Sequence, residues 1–309
     1  MFAGISMTCF AASYAVAWAL EISRLFFKRG APRVVTLLFG AAGVIAQTMY
    51  LAHRAAVGRQ SPLSSWYDWY LVAALCLGVL YLVALLWRSQ SPLGLLVLTS
   101  ALALVGAAAG ADQTPFPKAE AARTWGWIHG VFLLAGTLTV LVGFIFGVMY
   151  LWQAWRLKNK RPPSARFKLP SLEWLERMNE RTIVLSVLLL GLGFASGVVS
   201  NLVNRGLVPW TDPVVWSSGI LVGWMLAAAV FQFAYKPARV GRKVAYLTVF
   251  SFLFLVLTLG IIKLTETSHG ARRESVSPRI ARRAGGVSPP VTSRLTAVPN
   301  RLRSPGGRP

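Results

Sequence analysis

The chain has 309 residues, 55% of them hydrophobic and 14% charged, with a mean hydropathy of +0.55. A soluble domain of that length needs far more charge to cover its surface, which excludes a large soluble fold. The net charge of +22 would suggest nucleic acid in a soluble protein, but here it falls in membrane-flanking loops and a C-terminal tail, so no nucleic-acid partner is expected.

The apolar residues come in runs of about 20, the length that crosses a hydrocarbon core of about 30 Å. Backbone inside lipid must satisfy its own hydrogen bonds, so these runs predict helices and an all-α, polytopic membrane protein. The first run, about residues 2–20, is followed by Arg24, Lys28, Arg29 and Arg33. The cations follow the apolar stretch and no small-residue cleavage site is evident, so it reads as a first helix and not as a signal peptide. Further spans are expected at about 34–52, 69–87, 93–109, 127–152, 182–203, 214–233 and 244–264.

The excess of Lys and Arg in alternate loops sets an orientation. Arg156, Lys158, Lys160, Arg161, Arg166 and Lys168 mark the longest inner loop, and Lys236, Arg239, Arg242 and Lys243 mark another. About eight spans follow, with both termini on the outer face of an inner (cytoplasmic) membrane. Within the longest inner loop, Leu172, Leu175 and Met178 share one helical face, which predicts a short amphipathic helix in the interface. The division expected is two N-terminal helices over 1–60, a helical domain over 61–270, and a basic, Ser/Pro/Gly-rich disordered tail over 271–309.

Cys9 and Cys76 lie far apart inside apolar runs. They form no CxxC pair, so no dithiol or zinc chemistry is expected of the chain, and both read as small buried hydrophobes. The three histidines, His53, His129 and His269, all fall at or near the outer face, as do six of the twelve tryptophans: Trp66, Trp69, Trp125, Trp127, Trp210 and Trp216. An aromatic belt explains tryptophan at either interface. It explains less well a Trp two residues before Asp212-Pro213 in a loop of about ten residues. Imidazole is the usual axial ligand of haem iron, and His129 shares a helical face with Trp125 four residues earlier. Two such histidines flanking a tryptophan loop suggest a site for a flat aromatic cofactor. Asp212 beside histidines also raises zinc, but no HExxH spacing supports it.

These residues resemble the membrane cytochrome c assembly proteins (the CcsA, CcmC and HemX-type group) over about 62–270. The likeness is carried by Pro62-Leu63 with Asp68, Trp127-Ile128-His129, and Leu169-Pro170-Ser171-Leu172-Glu173 with Met178-Asn179. Asp212-Pro213 with Trp216 and Trp224, and His269-Gly270, complete it. The resemblance implies an outer tryptophan-rich loop, the WWD motif, that holds haem between two axial histidines. Those would be His129 and His269, with Trp210, Asp212, Pro213 and Trp216 in the loop and Trp125 and Trp127 nearby. It implies transient, non-covalent haem b, apocytochrome c as acceptor, and other assembly and thiol-reducing components as partners. The family's loop has Trp before the Asp and a Lys-Glu pair after the Pro, where this chain has Thr211, Val214 and Val215. An accessory or regulatory HemX-like role without haem is therefore the alternative. A small-molecule transporter ranks third, because no charged residue is expected mid-helix.

Overall fold

The computed structural model describes residues 6–27, 30–58, 65–87, 92–114, 124–160, 169–206, 208, 210, 212–234 and 242–261. They form eight helices and no strand: α1 (Met7–Phe26), α2 (Arg33–Gly58), α3 (Trp66–Trp87), α4 (Leu93–Ala109), α5 (Thr124–Lys158), α6 (Leu172–Arg205), α7 (Pro213–Ala234) and α8 (Arg242–Ile261). Six of these, α2, α3 and α5 to α8, are long and apolar enough to cross a membrane, and α4 is an apolar helix of 17 residues. The all-α membrane architecture expected from the apolar runs is what the chain adopts.

The helices pack as two neighbouring groups. In the first, α1 lies against α2 and α4, and α3 lies against α2 and α4. Phe10, Tyr14, Leu71, Leu77, Tyr81 and Leu98 fill its centre. Polar side chains pin this group from within. Tyr14 donates to Gln47 Oε1 at 2.7 Å, and Gln47 Nε2 donates to the Leu71 carbonyl at 3.0 Å. Satisfying each other is what lets these groups sit in an apolar core, since a buried polar group without a partner costs several kcal/mol in hydrocarbon.

The second group is α5 to α8. Leu190, Leu221, Met225 and Leu255 meet with Val140 at its centre. The far half of α5 (Ile145, Phe146, Met149, Tyr150) packs into the core of the first group, so α5 joins the two. Phe144 stacks on Phe252 with ring centroids 4.3 Å apart, and Trp224 stacks on Phe254 at 5.6 Å, which places α8 against both α5 and α7.

Three expectations change. The interfacial helix of Leu172, Leu175 and Met178 is not separate, because these residues open α6, which continues unbroken to Arg205. Ser171 caps that start by accepting from the Trp174 N–H at 3.3 Å, and no Gly or Pro follows before Gly191 to break the helix. The first helix is shifted toward its C-terminus and takes in Glu21, which is wholly buried. Glu21 accepts from Arg24 Nη2 at 2.7 Å and from Tyr81 Oη at 3.3 Å, so a buried carboxylate does occur inside a helix. Cys9 and Cys76 are exposed, not buried, because they sit on outward helix faces, where lipid is the solvent.

Candidate functional site

The site grows out of the α5–α6 pair. Gly193 and Gly197 of α6 form a Gly-x-x-x-Gly spacing that faces α5, and Gly136 and Gly143 of α5 face α6. Small residues one turn apart let two helices approach closely in a membrane. A methyl on Gly193 would lie 2.8 Å from Leu133 Cδ2, and one on Gly197 would lie 2.8 Å from both Cε1 and Nδ1 of His129. Gly197 thus leaves the slot into which the His129 ring fits, while Gly193 lets Leu133 of α5 approach α6.

Within that slot His129 Nδ1 lies 2.7 Å from the Gly193 carbonyl oxygen. A carbonyl only accepts, so Nδ1 carries the proton and Nε2 keeps its lone pair. Ser196 Oγ donates to the same carbonyl at 2.7 Å, which fixes the acceptor from a second side. A histidine whose other ring nitrogen donates to a backbone carbonyl has the orientation and tautomer of a metal-ligating imidazole. No other hydrogen bond of His129 is present among the described residues.

The loop between α6 and α7 begins at Gly206, whose left-handed φ of 70° ends α6 while its N–H bonds the Leu202 carbonyl at 3.0 Å. Asp212 Oδ1 accepts from the Val214 N–H at 2.9 Å, and its carbonyl accepts from the Trp216 N–H at 3.1 Å. Asp212 is therefore the N-cap of α7, and Pro213 is its first residue, where a missing N–H costs nothing. Trp210 and Trp216 are 60% and 62% exposed, and Trp125 and Trp127 on α5 are also exposed.

A methyl on Gly219 of α7 would lie 3.6 Å from the Phe194 ring, one residue past the Gly193 that holds His129. His129 and the first turns of α7 accordingly flank adjoining turns of α6. Helix α8 runs antiparallel to α5, with Thr248 beside Gly147 and Phe252 beside Phe144, and so returns to the end where His129 sits. His269 and Thr211 lie outside the described residues. Among those described, His129 makes no hydrogen bond or ring contact with Trp125, Trp127, Trp210 or Trp216.

The sequence model of the family described as Cytochrome C assembly protein matches residues 7–269. This chain belongs to that family. The match takes in α1 and α2 as well as the later helices. A search of the curated proteins finds no match. Membership makes this a multi-pass membrane protein of cytochrome c biogenesis, a process of haem handling.

The family resemblance carried Asp68 but not its partners. Asp68 is 4% exposed at the start of α3, accepts from Arg54 Nε at 2.7 Å and from Ser65 Oγ at 2.9 Å, and anchors α2 to α3. Arg54 also lies over the Tyr67 ring, 4.7 Å from its centroid, and Tyr67 Oη pairs with Tyr50 Oη at 2.7 Å. His53, the residue before Arg54, is exposed. The signal for this anchor is an Arg near the end of one span and an Asp near the start of the next.

Proposed function

We propose that the protein holds haem transiently and non-covalently at the outer face of the inner membrane and presents it for attachment to apocytochrome c. His129 would be one axial ligand and His269 the other, with Trp210, Trp216, Trp125 and Trp127 supplying aromatic surface. The observation that carries this reading is the His129–Gly193 hydrogen bond. It leaves Nε2 with a lone pair on a ring that packing holds in one pose. The position of α8 supports the pairing, since its described part heads to the end of the bundle that bears His129. Haem would supply the iron for the two imidazoles and the vinyl groups for thioether formation. The reductant for the thiols would come from partner proteins.

Asp212-Pro213 favours a second reading. Capping of α7 accounts fully for both residues and needs no haem, and Thr211, Val214 and Val215 stand where the family's loop carries a Trp and a Lys-Glu pair. An accessory member of the assembly machinery that binds no haem is the reading this supports. Purification in detergent followed by optical spectroscopy separates the two. A low-spin Soret and α band that His129→Ala and His269→Ala each abolish supports the haem reading. A protein that stays colourless after haem is supplied supports the accessory one.

A further inference from the structure

A second feature of the α5–α8 group is independent of the haem reading. At the end of α6 away from Gly193 and His129, α6 and the last turn of α7 border a pocket of about 440 Å³. Arg177, Glu180 and Arg181 line one end of it, and Leu185 and Leu188 of α6 with Phe233 of α7 line the other. Arg177, Arg181, Leu185 and Leu188 recur every three or four residues, so they stack along one face of α6. That strip is about 16 Å long at about 1.5 Å per residue.

The charge pattern of α6 sets where the strip lies in a bilayer. Between Arg181 and Arg205 the helix carries no charged residue. This uncharged stretch, residues 182–204, spans about 34 Å, close to the thickness of a hydrocarbon core. The boundary with the headgroup layer therefore falls at Arg181. Arg177, Glu180 and Arg181 lie on the headgroup side, while Leu185, Leu188 and Phe233 are exposed on the hydrocarbon side. A pocket with a charged head and an apolar floor, aligned with the helix axis, fits an amphipathic molecule standing as a bilayer phospholipid stands.

The charged groups narrow the choice of headgroup. Arg177 Nη2 lies 3.2 Å from Glu173 Oε1, which orients a guanidinium that stays exposed. Arg181 is exposed and Glu180 is half-buried, and neither is ion-paired among the described residues. Guanidinium groups suit a phosphate, because their fixed N–H donors match its oxygens. The Glu180 carboxylate beside them repels a purely anionic headgroup and attracts a cation that donates hydrogen bonds. A phosphate joined to a primary ammonium supplies both halves.

We infer that this pocket is a binding site for phosphatidylethanolamine. Its phosphate meets Arg181 and Arg177, its ammonium meets Glu180, and an acyl chain lies along Leu185, Leu188 and Phe233. Helices in a bilayer lack a hydrophobic drive to associate, and a lipid seated across α6 and α7 adds packing between them.

Native mass spectrometry of the full-length protein tests the site. The protein is delipidated in detergent and offered equimolar phosphatidylethanolamine, phosphatidylcholine and phosphatidylglycerol. The ethanolamine lipid should be retained several-fold over the other two. The choline headgroup has the same charges but no N–H to donate, and the glycerol headgroup has no cation. Glu180→Gln should bring the ethanolamine lipid down to the level of the glycerol lipid, and Arg181→Gln should lower retention of the ethanolamine lipid several-fold. Surface substitutions of this kind rarely unfold a protein. Equal retention of the three lipids by the unmodified protein would indicate ordinary annular lipid and overturn the inference, and that comparison requires no variant to fold. Preference for the glycerol lipid would indicate an anionic-lipid site and overturn it too. An ethanolamine preference that Glu180→Gln leaves intact would place the lipid elsewhere and contradict the assignment to this pocket.

Discussion

The ring of His129 and the backbone of Gly193 are joined by a 2.7 Å hydrogen bond between residues 64 apart in sequence, in a slot that Gly197 keeps open. The Gly193 carbonyl holds the imidazole and the missing side chain of Gly197 leaves room for it.

Gly197→Ala is the direct probe of that slot. Its methyl would meet Nδ1 and Cε1 of His129 at 2.8 Å, a distance that displaces the ring. Overpacking of this kind costs about 1–3 kcal/mol. A lowered melting temperature is expected, with loss of any haem spectrum. Gly193→Ala presses on the flexible end of Leu133 instead, so it should lower the melting temperature by a similar amount while sparing the spectrum better.

Asp212 tests whether the loop acts through its cap. Asp212→Ala removes the acceptor of the Val214 N–H and should cost about 1 kcal/mol in a thermal melt. Asp212→Asn keeps a capping oxygen and should lie within a few tenths of a kcal/mol of the unmodified protein. If the asparagine variant is stable yet loses haem, the carboxylate has a role beyond capping.

The Arg54–Asp68 pair should be the costliest polar contact to break between α2 and α3. Removing one partner of a buried pair costs about 3–5 kcal/mol because a charge is left behind. The Arg54 side chain is 30% exposed, which places Arg54→Ala at the low end, about 3 kcal/mol. Replacing both residues, as Arg54→Met with Asp68→Leu, should cost less than the two single changes added together. Additive losses in a double-mutant cycle would show that the pair is not coupled.

Cys9 and Cys76 are exposed and lie far apart in sequence. Their replacement by Ser should change stability by less than about 0.5 kcal/mol. It should also leave cytochrome c assembly in cells unaffected. A variant that folds but no longer supports assembly would show that this chain contributes a thiol.

Much of the fold was legible because lipid leaves the backbone few choices. A run of about twenty apolar residues must be a helix, and α3, α4 and α7 begin and end close to where those runs do. The start of α6 was not, since Leu172, Leu175 and Met178 among charged neighbours look the same whether they lie on a membrane surface or, like Leu175, are buried in the core that α5 shares with the first group. Cys9 and Cys76 misled for a related reason. An apolar residue facing lipid and one facing protein give the same sequence pattern, so burial inside a bundle cannot be read from hydropathy. His129 stood out by its place near a helix end, but its partner is a main-chain oxygen, which no side-chain pattern reveals. The Gly193-x-x-x-Gly197 spacing on α6 was the available clue to that close pairing.

Imidazole rescue tests most directly whether the Nε2 of His129 serves as an axial ligand. His129→Gly removes the ring and leaves a slot of its size, to be examined by optical and low-temperature EPR spectroscopy of the haem-supplied protein. Loss of the low-spin haem signal in the variant, and its return when free imidazole is added, are the expected results. A low-spin spectrum that survives His129→Gly without imidazole would contradict axial ligation by His129.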